Sequence, residues 1–170
     1  MPTIRLSALQ IGPLLSVTPP AGGVIDIPRI QLRCLVRLPQ FLMPQDGVID
    51  TGAPLTCFPK SVWDRFVEGT DYEWLPFATG FQPPAAQMAG WLYTFRMARF
   101  LVPLTLMDTS AEVDRAGVVA QFADSDPPAR RGHAVPLFVI GLSGGLLEDS
   151  AIHVARDPAG GRVRGELAVA

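Results

Sequence analysis

The chain has 170 residues, of which 48% are hydrophobic and 18% charged, and its formal net charge is −2. This composition excludes a disordered chain and offers no basic surface to nucleic acid. Glycine (16) and proline (17) are frequent, which is typical of short strands joined by turns and not of a helical bundle. We therefore expect one mainly β domain over residues 1–170, with its core at about 25–169.

Predicted strands in the first half of the chain lie at 4–11, 24–27 and 30–38, and an apolar run at 48–50 ends in a carboxylate. The pattern at 30–38 is the clearest, because apolar residues alternate with Arg33 and Arg37 as a half-buried strand requires. Residues 59–67 read as a short helix, since proline is placed near its first turn.

Predicted elements in the second half are strands at 91–97, 100–107 and 137–140, a loop at 121–134, a helical turn at 146–150, and a hairpin of 152–156 with 162–169. Pro103 has no N–H for a strand ladder, so part of 100–107 is expected at an edge or a bend. The whole pattern predicts an all-β chain with one or two short helices.

The two cysteines, Cys34 and Cys57, are too few for a disulfide framework or a four-cysteine zinc site. We expect two buried thiols, and with them a reducing, cytoplasmic compartment. The N-terminus lacks a basic region followed by an apolar stretch, so no signal peptide is expected, and no apolar run is long enough to cross a membrane. No metal or cofactor is expected, because neither ligand spacing nor a phosphate loop is present.

The main candidate for chemistry is the stretch at 47–53, Gly-Val-Ile-Asp-Thr-Gly-Ala. An apolar strand delivers Asp50 into a tight turn whose next residues are small or hydroxylic. A half-buried carboxylate is costly unless it is hydrogen-bonded, and Gly52 permits a turn that brings backbone N–H groups to it. Alone, such an aspartate is more typical of an exposed turn than of an active site.

This stretch resembles the active-site motif of aspartic proteases, apolar-apolar-Asp-Thr-Gly followed by Ala or Ser. A later segment at 137–142, Leu-Phe-Val-Ile-Gly-Leu, is similar to the apolar-apolar-Gly segment of that family, in which Val139, Ile140 and Gly141 would pair with the catalytic turn. The resemblance covers roughly 25–169. It implies a retropepsin-like acid protease lobe, folded as a closed, psi-loop β-barrel.

The resemblance also implies a homodimer, because the chain carries one such motif and the active site needs two. Asp50 of each subunit would meet its copy across a two-fold axis, since such an interface is isologous. Two carboxylates in contact share a proton, for which aspartic proteases are the standard example. Thr51 would bond between subunits beneath the dyad. Gly52 would donate its N–H to the carboxylate, and Ala53 would line the floor.

The implied activity is hydrolysis of a peptide or protein substrate, without nucleic acid or membrane as a partner. A flap is expected from the hairpin around 78–95. Pro54 departs from the family pattern because it places no N–H beside the catalytic turn. A second hypothesis keeps the fold and the dimer but assigns a catalytically inactive dimerisation or peptide-binding module.

A rival motif is Gly-Leu-Ser-Gly-Gly at 141–145, which matches the Gly-x-Ser-x-Gly elbow of α/β-hydrolases. Only 27 residues follow Ser143, too few for further strands that carry an acid and then a histidine. Asp149 and His153 lie four residues apart, whereas a triad needs them on separate loops. His133 lies in a polar loop and is expected to be solvated.

Overall fold

The computed structural model describes residues 2–76, 86–88, 91–127, 138–156 and 163–169. The regular structure of these segments is almost entirely β-strand, with a single helix of four residues, so the all-β class is confirmed. The elements are β1 (Thr3–Val17), β2 (Ile25–Arg37), β3 (Gln45–Ile49), β4 (Thr56–Phe58), α1 (Lys60–Trp63), β5 (Tyr72–Trp74), β6 (Ala86–Met88), β7 (Trp91–Tyr93), β8 (Phe95–Phe100), β9 (Leu104–Met107), β10 (Glu112–Arg115), β11 (Val119–Ala123), β12 (Phe138–Ile140), β13 (Ser150–Arg156) and β14 (Val163–Val169).

The main sheet has the strand order β13-β14-β1-β2-β3-β12-β4-β11-β8-β5, while β9 pairs with β2 and with β10. Strands β6 and β7 form a separate two-stranded sheet. The expected closed barrel is wrong, because in the described segments β13 pairs only with β14 and β5 only with β8. Both therefore remain edge strands, and the sheet is open.

Several strands begin or end at residues other than those predicted from the sequence. The predicted strand at 100–107 divides into β8 and β9 around Pro103, which cannot donate to a ladder. The predicted strand at 91–97 divides at Thr94, whose N–H donates to Asp124 Oδ1 instead. Strand β11 occupies the start of the predicted loop, and the short strands β5 and β10 were not predicted. Residues 128–137 and 157–162 lie outside the described residues.

The predicted helical turn at 146–150 is wrong. Gly144 and Gly145 have φ values of +88° and +94°, and Asp149 has a φ of 59°, so left-handed backbone precedes and interrupts the segment. The predicted helix at 59–67 is present in shorter form, since α1 is the four residues Lys60–Trp63. Within the described residues no helix has the length and apolar character of a membrane span.

The core centres on Phe58 of β4, which is fully buried. Its ring lies 5.0–5.9 Å, centroid to centroid, from four other rings, those of Phe66, Phe100, Phe122 and Phe138. Rings at this spacing add edge and stacking attraction to the burial of apolar area. Because β4 runs directly out of the Asp50 turn, this cluster anchors one end of that turn.

A second, smaller cluster contains Cys57, the neighbour of Phe58 on β4, together with Trp91, Tyr93, Phe95 and Ala123. Both faces of β4 are therefore covered, as its fully buried pattern requires. Cys34 and Cys57 are free and buried, as predicted. Burial raises the pKa of Cys34 to about 12 and that of Cys57 to about 11, so neither thiol is a ready nucleophile.

We expect Phe58→Ala to lower the free energy of unfolding by about 3–5 kcal/mol, because it leaves a cavity among four rings. Leu92→Ala on β7 is the control, since Leu92 is exposed and its truncation should cost less than about 0.5 kcal/mol. Urea denaturation measures both. Equal urea midpoints for Phe58→Ala and Leu92→Ala would show that Phe58 does not hold the aromatic core together.

Candidate active site

Asp50 is positioned by β3, which lies between two different neighbours. It is antiparallel to β2 on one side and parallel to β12 on the other, with Val48 opposite Val139 and Ile49 opposite Ile140. Ile49 is buried in the core, and a one-residue slip would expose it, so its burial fixes the register. Asp50 follows at the end of the strand and is half-buried.

The turn after β3 is closed by three hydrogen bonds that involve Asp50. Its own N–H donates to Ile140 O at 3.1 Å, and its carbonyl accepts from Ala53 N at 3.1 Å. Gly52 N–H donates to Asp50 Oδ1 at 2.9 Å. The carboxylate is therefore oriented by its own turn, and a Cβ added at Gly52 would lie 3.3 Å from the same oxygen.

The segment that follows β12 is hydrogen-bonded to the segment that follows Asp50. Leu142 N–H donates to Ala53 O at 3.2 Å, and Ser143 N–H donates to Pro54 O at 2.8 Å. The structure thus joins the two motifs that lie almost 90 residues apart in the sequence. Pro54 lacks an N–H, but the contact uses its carbonyl, so the proline is compatible with this turn.

Gly141 is where the two segments approach most closely. A Cβ added there would lie 2.3 Å from the carbonyl carbon of Leu55, a distance that no side chain allows. Its N–H points at Thr56 Oγ1, 3.4 Å away, in a buried position. The glycine is thus required by close backbone approach, and with Val139 and Ile140 it forms the predicted partner segment.

Thr51 and Ala53 complete the turn. Thr51 is exposed and Ala53 is half-buried in the single protomer. An exposed Thr51 is available to a second molecule, while Ala53 contributes its backbone to the turn through the bonds to Asp50 and Leu142. The expected bond of Thr51 across a subunit interface remains a prediction.

A pocket of about 190 Å³ opens beside Asp50, lined by Ile30, Gln31, Val48, Ile49, Asp50 and Thr51. Gln31 was not predicted as a site residue. Arg33 Nε and Nη2 donate to Gln31 Oε1 at 3.0 and 2.9 Å, and Arg33 also pairs with Asp46 at 3.0 Å. These two hydrogen bonds from Arg33 to Oε1 orient the side-chain amide of Gln31. Gln31 lies beside Asp50 because β2 pairs with β3. The alternation of polar and apolar residues in the sequence does not predict which strands pair, so it could not identify Gln31 as a site residue.

Part of the expected flap is described. Strand β6 pairs with β7, while residues 77–85 and 89–90 lie outside the described residues. Trp91 and Tyr93 of β7 pack in the same cluster as Cys57 and Val139, which are register partners on β4 and β12. Both Trp91, which pairs with Met88, and Tyr93, which pairs with Ala86, therefore pack against the strands that flank the Asp50 turn.

A carboxylate fixes the junction between this hairpin and β8. Thr94 donates to Asp124 twice, from N–H to Oδ1 at 3.1 Å and from Oγ1 to Oδ2 at 2.5 Å. Ser125 Oγ accepts from Trp91 Nε1 at 3.2 Å and itself donates to Asp124 Oδ1 at 3.2 Å. Hydrogen bonding, above all from the Thr94 hydroxyl, lowers the pKa of Asp124 below its usual value.

The alternative nucleophile, Ser143, lacks the setting of a hydrolase elbow. It is exposed, and the bends and turns that follow it contain no helix, whereas the elbow requires a strand, a sharp turn and a helix. His153 lies on β13 opposite Glu166, and His133 lies outside the described residues. In the described segments no three His, Cys, Asp or Glu side chains cluster as a metal site.

Comparison with known proteins gives no further assignment: no family model, no curated protein and no solved structure matches the chain.

We expect Gly141→Ala to lower the free energy of unfolding by about 1–3 kcal/mol, because the new methyl group overlaps the Leu55 backbone. The exchange of the Asp50 amide with solvent should accelerate with it, since its acceptor is Ile140 O. Leu142→Ala, one residue further and exposed, should change neither. Wild-type protection of the Asp50 amide in Gly141→Ala would contradict the close-approach argument.

We expect the Thr94 amide to lose protection from hydrogen exchange in acid. The folded pKa of Asp124 lies below the ordinary aspartate value of 3.8, so the stabilisation from its hydrogen bonds is present above pH 3.8 and is lost as the pH falls through the folded pKa. Asp124→Asn should reduce protection at pH 6 and remove this pH dependence. Glu73→Gln, which removes a carboxylate paired with Arg99, should leave Thr94 protection unchanged; an equal effect of both variants would count against the Asp124 contact.

Proposed function

We propose that the chain is a retropepsin-like aspartic endopeptidase that acts as a homodimer, with Asp50 of each subunit in one shared site. The observation that carries the proposal is the bonding of the Asp50 turn to the segment at 140–143. The motif resemblance implies a later apolar segment that ends in glycine and pairs with the catalytic turn, and strand β12 with Gly141 has this position beside the Asp50 turn.

The strand order also supports a psi-loop lobe. Strand β12 lies between β3 and β4, which are consecutive in the chain. It runs parallel to β3 and antiparallel to β4, so the chain returns after about 80 residues to fill the gap beside its own Asp50 turn. This arrangement is specific, because sequential strands usually pair with each other directly.

One protomer supplies one carboxylate to an open pocket, and a single carboxylate cannot act as base and acid in the same step. In the proposed dimer the ionised Asp50 accepts a proton from a bound water molecule, which attacks the scissile carbonyl. The protonated Asp50 donates a hydrogen bond to the carbonyl oxygen, where negative charge develops. Gly52 N–H then holds the carboxylate in its reacting orientation.

The supporting residues have separate roles in this proposal. Thr51 bonds to the partner subunit beneath the dyad, and Ala53 keeps the floor of the site small. The partner segment, Val139, Ile140 and Gly141, holds the Asp50 turn in position, because the Ile140 carbonyl accepts a hydrogen bond from Asp50 N–H. The hairpin of β6 and β7 closes over the substrate and limits the access of bulk water.

The second candidate function is a catalytically inactive dimerisation or peptide-binding module with the same fold. It is favoured by the lone carboxylate in the pocket of one protomer, since a pocket with one acid and an oriented Gln31 amide can bind a peptide without cleaving it. The two functions differ in one requirement: only catalysis needs Asp50 to exchange protons.

The test is Asp50→Asn, which keeps the shape of the side chain and removes the acid. With a mixed-sequence peptide library at mildly acidic pH, we expect kcat/KM to fall at least about 1000-fold. Asp64→Asn is the matched control, because Asp64 is exposed and pairs with Lys60, and neither residue lines the pocket.

Cleavage by Asp50→Asn at the wild-type rate would contradict the proposed mechanism. A wild-type dimer that binds peptides and cleaves none under any condition would favour the binding module.

A further inference from the structure

Gln31 enters the Asp50 pocket from the neighbouring strand. It lies on β2 two residues before Arg33, so the two side chains leave the sheet on the same face. Val48 lies opposite Arg33 across the β2–β3 ladder and shares that face. Gln31, Val48 and Asp50 all line the pocket, so the Arg33 contacts and the candidate carboxylate lie on one face of the sheet.

Arg33 is fixed by two different acceptors. Its Nη1 donates to Asp46 Oδ2 at 3.0 Å, while Nε and Nη2 donate to Gln31 Oε1 at 3.0 and 2.9 Å. All three guanidinium nitrogens therefore have a protein acceptor, and the side chain is only 12% exposed. A planar guanidinium held in this way has little freedom to turn away from Gln31.

The contact with Arg33 decides which end of the Gln31 amide is left for a ligand. A guanidinium group only donates, so the atom that faces its nitrogens must be the amide oxygen. Oε1 already accepts two hydrogen bonds, and Nε2 donates to none of the residues that the structure describes. Because Gln31 is half-buried at the pocket, its Nε2 is a hydrogen-bond donor held in a fixed orientation.

The size and charge of the pocket limit what this donor can bind. The volume of about 190 Å³ is below the roughly 300–1,000 Å³ of sites for small-molecule ligands, so one amino-acid side chain is a fitting occupant. The charge of Arg33 is balanced by Asp46, whereas Asp50 adds negative charge when it ionises. An acidic side chain is therefore repelled, but a neutral carboxamide can accept from Nε2 without this cost.

We propose that Gln31 is a specificity-determining residue, whose Nε2 donates to a neutral acceptor, above all a side-chain carboxamide, of a peptide bound beside Asp50. This rests on the proposed function, because the occupant of the pocket is taken to be a peptide. Arg33 and Asp46 are positioning residues that orient the Gln31 amide. A hydrocarbon side chain of the same length would leave Nε2 without an acceptor, and a site built to hydrogen-bond its ligand rejects such an analogue.

The test compares peptides that differ in one side chain. A peptide that the wild-type protein cleaves is prepared with glutamine, glutamate or methionine at each of the two positions that flank the cleaved bond. Glutamine and methionine are both unbranched and similar in length, so they differ mainly in the carboxamide. At one of these positions we expect kcat/KM to be about tenfold higher for glutamine than for methionine. Glutamate should fall below glutamine at about pH 6, where it is ionised.

Two substitutions at Gln31 test the donor itself. Gln31→Leu removes the donor at similar volume, so the ratio of kcat/KM for glutamine over methionine should fall from about 10 to about 1 or below. Gln31→Glu replaces the donor by an acceptor and should make lysine the preferred side chain at the same position. This second variant provides the test if the leucine variant fails to fold.

Asp46→Asn tests the positioning role of the ion pair. Arg33 loses its charged partner, so the glutamine-to-methionine ratio should fall about threefold although Gln31 is unchanged. Glu112→Gln is the matched control, because Glu112 pairs with Arg37, which is also on β2, and neither of them lines the pocket. A purely structural effect would lower kcat/KM for both peptides alike and leave the ratio unchanged.

The outcomes separate the role of Gln31 from the proposed activity. If the wild-type protein binds these peptides and cleaves none, the same ratio is taken from dissociation constants, so Gln31 can select the side chain even where the endopeptidase proposal fails. A ratio that Gln31→Leu leaves at the wild-type value overturns the role of Gln31, even where Asp50→Asn abolishes cleavage. A wild-type ratio near 1 also overturns it, as does a chain that neither cleaves nor binds peptides. A weaker dimer with an unchanged ratio in Gln31→Leu assigns Gln31 to a subunit contact and overturns it as well.

Discussion

The account depends on one backbone contact, the hydrogen bond from Asp50 N–H to Ile140 O. It ties the end of β3 to the end of β12 and fixes where the carboxylate emerges from the sheet. The contact is possible only because Gly141 has no Cβ to collide with Leu55. A strand ladder on one side and a close backbone approach on the other leave the turn little freedom, which is the preorganisation that a catalytic carboxylate needs.

The packing around β4 explains why this turn can be held so firmly. Phe58 enters the large aromatic core, and Cys57 enters the smaller cluster on the opposite face. The strand that leaves the turn is therefore anchored on both faces, while the carboxylate remains at the surface. The same small cluster includes Trp91 and Tyr93 of the hairpin, so the proposed flap and the Asp50 turn pack on the same group of side chains.

The sequence predicted the local features of the site better than its surroundings. Val48, Ile49 and Asp50 were identified from an apolar run that ends in a carboxylate, and their partner segment from its resemblance to the apolar-apolar-Gly segment of aspartic proteases. Periodicity could not predict Gln31, because its place beside Asp50 depends on the register between β2 and β3. The helical turn at 146–150 failed because Gly144 and Gly145 adopt positive φ, a choice imposed by tertiary packing. The closed barrel failed because strand count does not determine whether the edges β13 and β5 meet.

The proposed dimer brings two copies of Asp50 together across a two-fold axis, and a crystal structure of the dimeric protein measures this directly. We expect carboxylate oxygens of the two Asp50 side chains to lie within hydrogen-bond distance, about 3 Å, with one water molecule bound by both carboxylates on the side that faces the substrate. A dimer that keeps the two carboxylates more than about 10 Å apart would contradict this expectation, because two carboxyl groups share a proton only across a direct hydrogen bond of about 2.5–3.0 Å.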